Sequence, residues 1–323
     1  MNTSMQTTLQ TRRLGTTDLH ITAIGFGAWA IGGGDWQFGW GDQEDAQSIA
    51  AIRRALEHGV NWIDTAAVYG FGRSEEVVAK ALDGVTDRPY VFTKCGLVPS
   101  GKNDGSPVEN ISRASIVAEC EASLKRLRVD AIDLYQIHWP TDEIADIDEA
   151  WAAMDELKQS GKVRNIGVSN FNVEELKRAE RLAPVASLQP PYSLVKRRVE
   201  KEILPYCREQ NIGVIAYSPM QSGLLSGTMT RERIEKLPAN DWRSKSDEFR
   251  EPKLTRNLAL VDRLRTVGAR HGRSAGEVAI AWTLRDPVVT GAIVGGRSPE
   301  QVDGVIGAAS FRLTPAEIAE IEG

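Results

Sequence analysis

The sequence predicts a closed (β/α)8 barrel, and three observations predict it. Short β-branched or apolar runs alternate with longer segments whose apolar residues recur at spacings of three and four, the rhythm of parallel strands joined by right-handed helical crossovers. Eight such runs share 323 residues, a size at which α/β barrels form one unit although length alone would allow two domains. Several runs, VIAYS and AIVGG among them, are apolar without alternation, as strands covered on both faces must be. A doubly wound open sheet is the rival arrangement.

The elements follow in order. RRLGTTDLHI sets a Gly-Thr-Thr-Asp turn between two short alternating pieces, a β-hairpin able to plug the barrel's N-terminal end. The eight strands are expected at Ile21–Gly25, Asn61–Asp64, Tyr90–Lys94, Ile132–His138, Arg164–Val168, Ala186–Gln189, Gly213–Tyr217 and Gly291–Val294. Helices are expected at 45–57, with Ile49, Ile52, Ala55 and Leu56 on one face, and then at 74–82, 112–127, 147–159, 173–182 and 199–209. HGVN, QSGKV and QNIGV place Gly or Asn at helix-to-strand turns, where a left-handed residue costs little. From Ser226 to Lys253 the chain is polar and weakly periodic, a long insertion after the seventh strand of the kind that carries function. No repeat, low-complexity tract or linker divides the chain, so residues 1–323 read as a single domain.

Composition excludes several classes. With 39 basic against 44 acidic side chains and a net charge of -5, the chain has no general attraction for nucleic acid or an anionic membrane. Three cysteines far apart cannot complete a disulfide framework and fit a reducing compartment. Residues 1–13 lack a secretory core, and the best uncharged run, Leu19 to Gly34, is 16 residues and broken by glycines. A cytoplasmic protein, monomeric or weakly self-associating, is expected.

Two glycine motifs fail in context. Gly25-Phe-Gly27-Ala-Trp-Ala30 resembles a dinucleotide fingerprint, but no helix opens within it to meet a pyrophosphate. Residues 96–103 nearly spell a P-loop, yet Asn103 replaces the metal-binding hydroxyl and DGSP follows where a helix should start. No zinc spacing, HExxH or GxSxG occurs, so no metal site is expected.

Four polar residues survive, all at or just past the C-terminal ends of early strands, where barrel active sites are built: Asp64 and Tyr69 in WIDTAAVYG, Lys94 in VFTKCG, and His138 in LYQIHWP. Each alone could be a cap, a loop aromatic, a surface charge or a core histidine. Lys94, though, ends an apolar strand, where a buried charge requires a partner that Asp64 can supply. A cation beside Tyr69 is expected to lower the phenol pKa and make it a general acid, while His138 orients a substrate oxygen. A hydride donor would complete a carbonyl reduction.

At this point the sequence resembles the aldo-keto reductase superfamily. IGFGAW, WIDTAAVYGFGRSEEVVAKAL, VFTKCG, SLKRLRVDAIDLYQIHWP, GKVRNIGVSNF, IGVIAYSPMQSGLLSG and IVGGRSPEQV occur in family order over nearly the whole chain, and the glycine-aromatic stretch at 32–41 is similar to a bacterial branch of general stress proteins and Gluconobacter reductases. The resemblance implies Tyr69 as proton donor, Lys94 and Asp64 as its tuners and His138 as orienting group. It implies NADP(H), with NAD(H) as the lesser option, lying across the barrel mouth. Gly27, Ala28, Trp29 and Asp64 would border the cofactor. Ser169, Asn170 and Gln189 would hold the carboxamide and Tyr217 would stack on the nicotinamide. The loop Ser218, Pro219, Met220, Gln221, Ser222, Gly223, Leu225 and Gly227 would wrap the pyrophosphate. Gly295, Gly296 and Arg297 would meet the adenosine phosphate end, with Gln301 near adenine. Arg297 lies just before a helix expected near Pro299, which suits an anion site.

Trp29 and Trp139, with Tyr69 and His138, are expected to line the substrate pocket, while at least one of Trp36 and Trp40 only packs a loop. The partner is then a small carbonyl or alcohol. An accessory, channel-subunit-like role of the same fold with little turnover is the alternative, and a non-redox barrel enzyme for phosphorylated substrates is a third.

Overall fold

The structure is a computed structural model that describes residues 9–102, 104–141 and 146–323. The polar start at 1–8 and Asn103 of the false P-loop lie outside the described residues. In chain order the strands are β1 (Thr11–Arg13), β2 (His20–Thr22), β3 (Ile24–Gly27), β4 (Trp62–Asp64), β5 (Tyr90–Cys95), β6 (Leu97–Pro99), β7 (Pro107–Glu109), β8 (Ile132–Ile137), β9 (Val163–Ser169), β10 (Ser187–Gln189), β11 (Gly213–Ala216) and β12 (Val289–Gly295). Eight of these close a barrel in the order β3-β4-β5-β8-β9-β10-β11-β12, with β12 pairing parallel to β3. The closed (β/α)8 barrel holds, and the open sheet is excluded.

The helices are α1 (Asp45–Glu57), α2 (Arg73–Ala81), α3 (Arg113–Leu127), α4 (Asp146–Gln159), α5 (Val173–Glu180), α6 (Ile203–Gln210), α7 (Arg231–Glu235), α8 (Lys253–Arg270), α9 (Ala275–Thr283), α10 (Pro299–Asp303) and α11 (Pro315–Glu322). Side-chain caps start several of them. Asn172 with Glu175, Ser274 with Glu277 and Thr314 with Glu317 form capping boxes that satisfy otherwise orphaned N–H groups. Helix α6 starts four residues later than the expected 199, after a short 3-10 turn at Arg198–Glu200. Glu200 there is held by Tyr192, Arg197 and Arg285, which takes that turn out of line with the helix.

The N-terminal hairpin does plug the barrel floor. Leu14, Leu19 and Ile21 pack with Trp62, Phe92, Leu134, Ile215 and Ile293 inside the barrel. The first barrel strand therefore begins at Ile24 instead of Ile21, because Ile21 pairs with Arg12 and the Thr22 hydroxyl donates to Ile24 O at 2.7 Å, turning the chain. This packing also explains the glycines of the false fingerprint. A Cβ on Gly25 would lie 2.1 Å from the Trp62 ring, and Gly27 runs to the end of β3 before a 3-10 turn, with no α-helix until Asp45. Gly25→Ala is expected to destabilise the fold by about 1–3 kcal/mol through overpacking, seen as a lower urea midpoint, and Trp62→Leu in the same chain should recover part of it. Residues 97–99 and 107–109 pair antiparallel and Ser100 N–H donates to Ser106 O at 2.9 Å, so residues 97–100 of the false P-loop form one arm of a hairpin.

The insertion after β11 has more structure than its polarity suggests. Leu224, Met229, Phe249 and Leu254 form a satellite core. Asp241 and Arg243 are buried as an ion pair at 2.6 Å. Trp40 bridges Asp241 and Trp242 N–H donates to Gly39 O at 3.0 Å, so the insertion is fastened to the loop between β3 and α1 over the barrel mouth. Alternating charges hid this because its few apolar residues serve a separate small core.

Candidate active site

Adjacent strands deliver a polar layer to the C-terminal end of the barrel: Asp64 from β4, Lys94 from β5, Gln136 from β8, Ser169 from β9 and Gln189 from β10. Lys94 stands opposite Gln136, and Gln189 opposite Ser169. All five are buried. Tyr69 reaches the layer from the loop between β4 and α2, and His138 follows β8 directly.

Lys94 organises the cluster. Its ammonium donates to Asp64 Oδ1 at 2.6 Å, to Thr65 O at 2.9 Å and to Tyr69 OH at 3.2 Å, so its three protons are placed. Asp64 Oδ2 accepts from Gln189 Nε2 at 2.8 Å. The Tyr69 and His138 rings stand edge to face with centroids 5.6 Å apart. Among the described residues the His138 ring nitrogens meet no hydrogen-bond partner, which leaves them for a ligand.

Burial dominates the electrostatics. It pushes the Asp64 carboxyl up and the Lys94 ammonium down, each resisted by the other's charge. The expected lowering of the Tyr69 pKa is corrected: burial first, then the Asp64 charge, raises it well above the usual 10.0. The cation is neutralised at 2.6 Å by Asp64 and cannot outweigh desolvation at 3.2 Å from the phenol. Tyr69 is thus held protonated, the form a proton donor needs. Burial and the Lys94 charge press His138 well below 6.5, so its imidazole is neutral.

The residues expected near the nicotinamide come together. Asn170, left-handed at φ 65, donates to His138 O at 2.9 Å and Ser169 Oγ at 3.0 Å, and accepts from Tyr217 OH at 2.9 Å. Ser169 Oγ donates to Gln189 O at 2.9 Å. Gln189 Oε1 accepts no hydrogen bond among the described residues. Ala28 N–H donates to Asp64 O at 2.8 Å, which brings Gly27, Ala28 and Trp29 to the same rim.

In the following loop Ser218, Gln221, Ser222 and Gly223 all have positive φ. Such turns gather N–H groups into an anion-binding concavity, and the amides of Met220, Ser222 and Gly223 find no protein acceptor among the described residues. Pro219 has no N–H to offer. Leu225 is fully buried and spends its N–H on Met220 O, and Gly227 O accepts from Arg265 at 2.6 Å, so those two shape the loop.

Arg297 is a guanidinium with neutral partners. It donates to Gln43 Oε1 at 2.6 Å, to Trp40 O at 3.0 Å and to Asp42 O. Arg297 N–H is taken by Gln301 Oε1 at 2.9 Å, just after Gly295 and Gly296. Helix α10 does begin at Pro299 but has only 5 residues, so the positive field there comes from side chains. Arg297, Arg243, Arg233 and Lys236 line a cavity of about 500 Å³ with Asp42, Glu232 and Asp241.

Trp29 stacks between Tyr69, at 6.3 Å, and Trp242, at 5.3 Å. Trp36 lies 6.0 Å from Tyr69 and is 6% exposed, closer to the cluster than a mere loop packer. Trp40 packs edge-on to Trp29 under Arg243. Trp139 is 42% exposed, with no ring partner among the described residues. Sequence reasoning missed Gln136, Gln43 and Trp242; a tryptophan inside the polar insertion was the one available signal.

A closed parallel barrel with a lysine-centred polar cluster at its C-terminal rim has the build of a barrel enzyme. The chain belongs to the Aldo/keto reductase family, whose profile matches residues 23–323. It is 38% identical over 290 residues to the aldo-keto reductase YhdN of Bacillus subtilis, covering 89% of this chain and 85% of that protein. It is 34% identical over 314 residues to the NADH-specific methylglyoxal reductase of Escherichia coli, covering 94% of each. Among solved structures it matches the glycerol dehydrogenase AKR11B4 from Gluconobacter oxydans at 38% identity and a TM-score of 0.86, over 97% of this chain and 94% of that one. No helix among the described residues is long and apolar enough to cross a membrane.

Proposed function

We propose that this chain is an NADP(H)-dependent oxidoreductase that reduces small aldehydes and ketones to alcohols, and runs the reverse reaction, with Tyr69 as general acid and base. The observation that carries this reading is the Lys94 ammonium shared between Asp64 and the Tyr69 hydroxyl at the barrel rim. The nicotinamide, when bound, supplies or takes the hydride. Residues of the chain do the rest. Ser169, Asn170 and the free Gln189 Oε1 suit a carboxamide, Tyr217 a ring face, and the unpaired amides of Met220, Ser222 and Gly223 a pyrophosphate. Neutral His138 and protonated Tyr69 both donate to the substrate oxygen, and Tyr69 hands over its proton as charge develops there. The Lys94 contact then steadies the phenolate, and Asp64 keeps Lys94 charged.

NADP(H) is favoured over NAD(H) because no carboxylate contacts Arg297 among the described residues, and a 2′-phosphate is the anion it would take. One relative is NADH-specific by name, so the preference needs a direct test. Arg297→Ala is expected to raise KM for NADPH roughly tenfold or more beyond any rise for NADH, as loss of a charged hydrogen bond implies; equal changes would overturn the assignment. Because Arg297 also holds residues 40–43, a smaller rise shared by both cofactors is expected as well.

A methylglyoxal reductase and a glycerol dehydrogenase among the relatives point to small oxygen-rich substrates. The test is a screen of aldehydes, ketones and polyols against both cofactors: cofactor oxidation with several small carbonyls supports the reading, and binding without turnover supports the accessory role. Residues 1–323 would act as one barrel unit in the cytoplasm, as a monomer or weak homo-oligomer.

A further inference from the structure

The polar layer contains one amide that the mechanism leaves without work. Gln136 is fully buried in β8, two residues beyond Leu134, which faces the apolar barrel floor. Its Oε1 accepts from Gln189 Nε2 at 3.4 Å, and that same nitrogen donates to Asp64 Oδ2 at 2.8 Å. Its own Nε2 has no hydrogen-bond acceptor among the described residues, although it lies near enough to Asp64 to favour the anion. Burying an amide with one end unpaired is costly, and an apolar residue of the same shape would avoid that cost.

The contact spans a strand. Gln136 is on β8 and Gln189 on β10, with β9 between them. They meet because Gly167 stands opposite Gln136 in β9: a Cβ there would lie 3.4 Å from Gln136 Cγ and 2.3 Å from Ser187 Oγ. The glycine opens the path along which the two amides reach each other.

We propose that Gln136 is a positioning residue that fixes which way round the Gln189 amide stands. A glutamine amide carries its donor and its acceptor on opposite arms, and a half-turn exchanges them. Two acceptors, Asp64 Oδ2 and Gln136 Oε1, face Nε2, so the flipped amide would set oxygen against both. The standing orientation leaves Gln189 Oε1 as the acceptor for a primary amide. The ligand group it selects is the cofactor's carboxamide, and the inference therefore rests on the proposed nicotinamide site.

The test is a double-mutant cycle read by NADPH titration, with 2′-phospho-ADP-ribose, which lacks the nicotinamide, as the control ligand. Gln136→Met is expected to weaken NADPH binding about tenfold, to leave the control ligand unchanged, and to add little in a Gln189→Met background. Gln136→Leu, which removes the same acceptor with a different shape, serves if the Met variant does not fold and is expected to weaken NADPH binding likewise while leaving the control ligand unchanged. Additive losses, an equal loss of the control ligand, or unchanged NADPH affinity would overturn the positioning role. Failure of the parent protein to bind NADPH would instead overturn the nicotinamide site itself.

Discussion

Tyr69→Phe is expected to lower kcat for carbonyl reduction by about 10²- to 10⁴-fold, the usual contribution of one positioned proton donor, while NADPH affinity stays close to that of the parent. The substitution deletes one hydroxyl from a ring held by Trp29, Trp36 and His138, so the pocket survives, and the losses are the acid and one acceptor of the Lys94 ammonium. Direct binding and single-turnover measurements separate the two effects, and retained turnover would refute the donor role. The parent's pH profile carries the same signature. Reduction needs protonated Tyr69, whose pKa stands well above 10.0, so the rate should not fall on the alkaline side until beyond that value. Burial and the Lys94 charge hold His138 well below 6.5, so its titration adds no limb at or above that point. Between them a plateau in kcat is expected.

Lys94→Met is expected to remove activity and stability together. Without the ammonium, the Asp64 carboxylate is buried with only amide donors, and a buried charge stripped of its partner costs about 3–5 kcal/mol. A lower urea midpoint checks this. Adding Asp64→Asn should restore much of the stability, since no buried charge remains, while activity stays lost because nothing steadies the Tyr69 phenolate. Recovery of activity in that double variant would show that the ion pair is structural only.

The sequence made the barrel legible because continuous apolar strands and helical spacing repeat eight times, and the cluster legible because Lys94 ends an apolar strand, where a buried charge requires a partner. It could not weigh burial against charge at Tyr69: the lysine is visible in VFTKCG, but the shift is reversed by burial of a ring packed by Trp29, Trp36 and His138 from other segments. Gln136 was hidden inside the apolar strand LYQIH, where its role depends on the glycine opposite it in a neighbouring strand. Gln43 and Arg297 are bonded across the barrel mouth from opposite ends of the chain, and no local pattern links them. Nothing in the weakly periodic insertion marks where Trp242 goes, yet that segment carries it onto Trp29. Asp64, Lys94 and His138 reach one rim because strand ends set them there; Gln136, Gln43 and Trp242 depend on register and on loop closure.

The measurement that tests the central claim most directly follows deuterium from C4-labelled NADPH into product with a small aldehyde as substrate, in the parent protein and in Tyr69→Phe. One deuterium is expected on the former carbonyl carbon for each cofactor oxidised by the parent, with a large loss of that rate in the variant at unchanged cofactor affinity. Product without label, or equal rates in the two proteins, would contradict it.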